Sequence, residues 1–139
     1  MKRKSGERVA LEIVAAKDFN HAFEIVMAGP RKTMKHHMVE EPEGMDGFLY
    51  DTRNELTNYT YYYQFDPYRE TQLEADQVPT IRAFADSVLN WISVHGAEEN
   101  RVIHQYGLSF QKIRRFADEL GRVCDVAMEH GYGLSGLGD

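Results

Sequence analysis

The residues best suited to chemistry sit in "KHHMVEEPE", where His36, His37, Glu40 and Glu41 offer the imidazole and carboxylate ligands that zinc commonly takes. Their spacing argues against a shared ion. Adjacent histidines in an extended loop point to opposite sides. On a helix, His36 would align with Glu40 and His37 with Glu41, but Pro42 and the nearby glycines oppose a helix of useful length. A polar loop that holds no metal is the expectation. His104 beside Tyr106 offers an acid/base pair without a third member to orient it. His95 and His130 fall near helix ends, where a cationic imidazole complements the helix dipole. Cys124 lies on an apolar helical stripe and reads as a small buried hydrophobe rather than a nucleophile. Ser135 in "GLSGLG" has the wrong glycine spacing for a nucleophile elbow. No phosphate-binding or dinucleotide-binding glycine motif is present. These residues predict no cofactor and favour a non-enzymatic protein.

The other distinctive stretch is "NYTYYYQFDPYRE", residues 58–70, with five of the chain's eight tyrosines and one phenylalanine. It lies in an acidic segment. Residues 1–39 hold eight Lys/Arg and four Asp/Glu; residues 40–76 hold ten Asp/Glu against Arg53 and Arg69; the remainder comes to −2, giving −6 in all. Phosphate contacts need a positive face, so direct nucleic-acid binding is not expected. A basic protein partner, or mimicry of nucleic acid, suits this distribution. Read as a strand, the run places Tyr59, Tyr61, Tyr63 and Phe65 inward and Tyr62 and Asp66 outward. The expected partner surface is therefore Tyr62, Asp66, Tyr68, Glu70 and Glu74.

At 139 residues the chain suits one domain. The 42% apolar and 27% charged content is that of a globular protein. No apolar run approaches the roughly 20 residues of a membrane span, and the basic N-terminus lacks a signal-peptide core. A soluble, cytoplasmic protein without membrane contact is the expectation. One cysteine excludes an intrachain disulfide.

The elements follow from periodicity and punctuation. Residues 8–28 fit either one helix or a strand followed by a helix capped by Asp18; abundant Ala and Glu favour helix throughout. Residues 29–47 read as loop. Residues 48–50 and 59–65 read as two strands around the turn "DTRNEL". Pro79 opens a helix striped with Ile81, Phe84, Ala85, Val88, Trp91 and Ile92, and Gly96 stops it. A short helix packs through Val102, Ile103 and Tyr106. Ser109 caps a last helix whose buried side runs from Phe110 to Ala127 and whose stop is Gly131. Its outer face, with Lys112, Arg114, Arg115 and Arg122, could dock on the acidic segment of the same chain or of a second copy, so a homo-oligomer is open. Residues 1–6 and the glycine-rich 133–139 read as flexible tails.

The fold class expected is α+β: a small antiparallel hairpin or sheet packed against two to four helices in a single domain, 1–139. The pattern "LEAD", then a helix, "HQYGL" and "RRFADEL" resembles plasmid-borne antirestriction proteins in the C-terminal half alone, and no family is assigned on it. The function expected is an interaction or inhibitor protein of antirestriction, DNA-mimic or immunity type. The alternative is a small enzyme or small-molecule-binding domain that gathers His and Tyr side chains in space.

Overall fold

The computed structural model describes residues 11–29 and 35–138. The expected tail at 1–6, residues 8–10 of the first element and part of the expected loop lie outside them. The fold is α+β: a four-stranded antiparallel sheet with six helices.

The first described element is strand β1 (Glu12–Ala16), not the helix that composition favours. Ile13, Val14, Ala15 and Ala16 are all fully buried. A central strand covered on both faces reads as an unbroken apolar run, which composition alone cannot separate from a buried helix. Helix α1 (Phe19–Ala28) follows, with Asp18 accepting from the His21 N–H at 2.9 Å and Gly29 ending it. Strand β2 (Met38–Glu40) lies within the expected loop and pairs with β1.

Residues 45–62 correct the expected hairpin. Both of its strands are helices: α2 (Met45–Asp51) and the single turn α3 (Tyr59–Tyr62), with a 3-10 turn at Arg53–Glu55 between them. Asn58 starts α3 from the left-handed region at φ 61. A run this dense in aromatics satisfies a period of two and a helical period equally. Packing decides between them: Tyr62 and Phe65, three residues apart, are the buried members, while Tyr61 and Tyr63 are exposed.

Strand β3 (Thr71–Leu73) leads into α4 (Val78–Val94), which has proline in its first turn. A 3-10 turn at Gly96–Glu98 passes to α5 (Glu99–Tyr106) and then to α6 (Phe110–His130). Ser109 caps α6 by accepting from the Lys112 N–H at 3.2 Å. Every stripe residue expected on α4 and α6 is buried. In α5, Val102 is buried while Ile103 is exposed. Among the described residues, no helix is long and apolar enough to cross a membrane.

The chain ends in strand β4 (Gly133–Leu137), a correction to the expected flexible tail. It lies between β1 and β3, in the order β2-β1-β4-β3, with Val14 opposite Ser135 and Leu73 opposite Leu134. All five of its residues are buried. The glycines are there for close approach: a Cβ on Gly133 would lie 2.1 Å from the Leu73 carbonyl oxygen, and one on Gly136 would lie 2.5 Å from the Phe65 ring. Gly136→Ala is therefore expected to cost about 1–3 kcal/mol by overpacking. A denaturant midpoint equal to wild type would show that Phe65 yields freely.

The sheet separates two cores. Ile13, Ala15 and Leu134 join the large cluster with α4 and α6, whereas Val14, Ala16 and Leu137 pack against Ala22 and Ile25 of α1.

Candidate functional site

Chain order brings the acidic, tyrosine-rich segment around one recess. Glu41 follows edge strand β2, and its N–H donates to the Leu11 carbonyl at 2.9 Å. Helix α2 contributes Asp46 and Tyr50. Helix α3 and the turn after it contribute Tyr59, Tyr62, Tyr63, Asp66 and Tyr68. Together these residues line a cavity of about 800 Å³. Among the described lining residues, three carboxylates, Glu41, Asp46 and Asp66, accompany one guanidinium, Arg69. Arg69 Nε lies 3.2 Å from Asp66.

Tyr62 is the structural centre of the recess, not the outward contact that a strand implies. Its ring stacks on Phe84 with centroids 4.4 Å apart, and its hydroxyl donates to Glu41 Oε2. Burial, reinforced by the Glu41 charge, raises its phenol well above the ordinary value. Burial also pushes Tyr59 up to about 12. Both phenols are therefore neutral donors at physiological pH, whereas a base would need a lowered value.

Of the expected surface residues, Tyr62, Asp66 and Tyr68 line the recess. Glu70 and Glu74 are exposed and do not line it. Glu74 instead caps the turn before α4 in a reciprocal capping box with Gln77. Sequence reasoning raised Glu41 only as a metal ligand and did not place Asp46, Tyr50, Tyr59 or Tyr63 at a site. The available signal was the i, i+3, i+4 spacing of Tyr59, Tyr62 and Tyr63.

The other chemical candidates are dispersed. His36, at φ 65, sets Nδ1 2.7 Å from Glu119 of α6. His37 is buried and stacks on His130 with centroids 6.3 Å apart. Glu40 lies opposite Glu12 in the ladder, and Glu41 goes to Tyr62. Among the described residues, no group of three His, Cys, Asp or Glu side chains is placed to hold a metal ion. His104 is exposed, and Tyr106 donates to Asp51 rather than to it. His21 and His130 flank Tyr132 at 5.1 and 5.2 Å, but no histidine lines the recess. A second groove of about 730 Å³, between β2 and the start of α6, mixes Lys112 and Arg115 with Glu40, Glu43 and Glu119. It presents no single sign of charge.

Ser135 is buried and donates to Gln72 Oε1 at 2.5 Å, with no base beside it. Cys124 is fully buried, and burial pushes its thiol up to about 12. Desolvation disfavours the thiolate, so the folded chain is expected to resist thiol-specific labelling at neutral pH and to react only as it unfolds. Rapid labelling of native protein would contradict that burial.

No protein-family model matches the chain, and no curated protein or solved structure matches it. The resemblance of the C-terminal half to antirestriction proteins accordingly carries no argument.

Proposed function

We propose that this chain is a non-enzymatic interaction protein, of inhibitor or immunity type, whose contact face is the recess and the acidic surface around it. The partner is a basic protein. The observation that carries the reading is the convergence of Glu41, Asp46 and Asp66 with tyrosine rings on one concave face. Tyrosine gives large contact area at little conformational cost, and carboxylates set the sign of the partner. The exposed Glu70 extends the same sign beyond the recess.

The test uses a partner captured on the immobilised chain, identified and purified. Its association should slow as salt rises. Replacing Asp66, Glu70 and Glu74 together by Ser should weaken it about tenfold at low salt, mainly through the on-rate; serine at position 74 keeps a capping side chain. An affinity unchanged by the triple substitution contradicts the reading. So does direct binding of duplex or single-stranded DNA at physiological salt.

A further inference from the structure

We propose that the recess receives one arginine side chain of the partner, its guanidinium stacked on the tyrosine rings and paired with the carboxylates. This rests on the interaction reading above and names the group that is recognised.

Three features select a cation. Among the described residues, five Phe and Tyr rings are well exposed, and three of them, Tyr50 (48%), Tyr63 (66%) and Tyr68 (62%), line this one concavity. Open ring faces around a cavity attract cations through the aromatic quadrupole; Tyr63 and Tyr68 offer theirs, while Arg53 already occupies the Tyr50 face. Among the described lining residues, carboxylates outnumber guanidinium three to one. Asp46 is exposed and Asp66 half-buried, so both carboxylates are within reach of an incoming cation.

Two further features select arginine over an ammonium. A guanidinium is planar and weakly hydrated, so it can stack on a ring while its N–H edge meets a carboxylate. The rim already uses both contacts within the chain: the Arg53 guanidinium carbon sits 3.9 Å over the Tyr50 ring, and Arg69 Nε pairs with Asp66 at 3.2 Å. The cavity, at about 800 Å³, lies within the range of ordinary ligand sites and admits a long side chain with the backbone that carries it. The acidic surface continues past the recess to Glu70, which suits a basic protein rather than a free small cation.

The experiment titrates the full isotope-labelled chain with N-acetyl-arginine amide, the matching lysine amide and tetramethylammonium, following amide shifts by NMR. Saturable shifts confined to residues 41–69 are expected with the arginine derivative, at about tenfold higher affinity than with lysine. Tyr63→Ala and Asp66→Asn, both on side chains outside the core, should each weaken it severalfold while the melting temperature holds. Absence of saturable arginine shifts, or equal or tighter binding of lysine or tetramethylammonium, overturns the proposal. Oligo-arginine and oligo-lysine peptides of equal length separate the two levels. If both bind equally and single arginine does not, the acidic-surface reading stands and the arginine site falls. If neither peptide binds, both fall.

Discussion

Trp91→Ala is expected to destabilise the chain by about 3–5 kcal/mol, the usual range for removing a large buried aromatic. Trp91 is 3% exposed and lies where α4 meets both α2 and α6. Its ring meets Phe48 edge-on at 5.2 Å and Phe110 at 6.2 Å, and it stacks on His95 at 4.0 Å. No single neighbour can swing in to fill the space, because each belongs to a different element. The indole N–H is buried and meets no acceptor among the described residues. Trp91→Phe therefore gives up volume but no hydrogen bond, and it should cost clearly less than the alanine change. Urea unfolding of the two variants beside wild type measures both. A Trp91→Ala midpoint equal to wild type would mean that the three-helix contact contributes nothing. A phenylalanine variant as weak as the alanine one would mean that the indole nitrogen has a partner after all.

The parts of the fold that were legible in the sequence are those where one signal repeats. Helices α4 and α6 run for 17 and 21 residues, so their apolar stripes recur over several turns. Pro79, Ser109 and Gly131 then mark their ends by mechanisms that act within a few residues. Where segments are short, tertiary packing outweighs local pattern. Residues 59–62 form one helical turn, too few positions to tell a period of 3.6 from a period of 2 when nearly all are tyrosine. Strand β4 misleads for another reason. Its glycines suggest freedom in the chain taken alone, yet Phe65 and the Leu73 carbonyl fill the space that side chains would need. Those neighbours lie sixty residues or more away in sequence. The site divides along the same line. The charge and aromatic content of residues 40–70 marks the segment that supplies most of the recess lining. The face they present depends on α2 and α3 being helices, and so Tyr62 moved from the expected surface to the floor.

Gly44→Ala is the other large effect expected, and it links stability to the recess. Gly44 caps the start of α2 at φ 86, where a Cβ carries a strain of about 1–2 kcal/mol. The added Cβ would also lie 2.2 Å from the backbone carbonyl oxygen of Tyr106. A backbone atom at the end of α5 cannot rotate away as a side chain can, so α2 or α5 must shift. Overpacking of that kind costs about 1–3 kcal/mol more. Together these give a loss of about 2–5 kcal/mol, read as a lowered denaturant midpoint. The displacement should also reach the site, because α2 carries Asp46 and Tyr50, two walls of the recess. The Tyr106 hydroxyl donates to Asp51 at the far end of the same helix, so α5 meets α2 at both ends. Under conditions where the variant remains folded, its affinity for N-acetyl-arginine amide should fall along with its stability. Gly136→Ala presses instead on Phe65, a lining ring in the recess wall. Comparing the two variants separates loss of the α2 wall from displacement of that ring. A Gly44→Ala chain with the wild-type midpoint would show that the α2–α5 contact relaxes without cost. One that is destabilised but binds arginine normally would show that Asp46 and Tyr50 take no part in recognition.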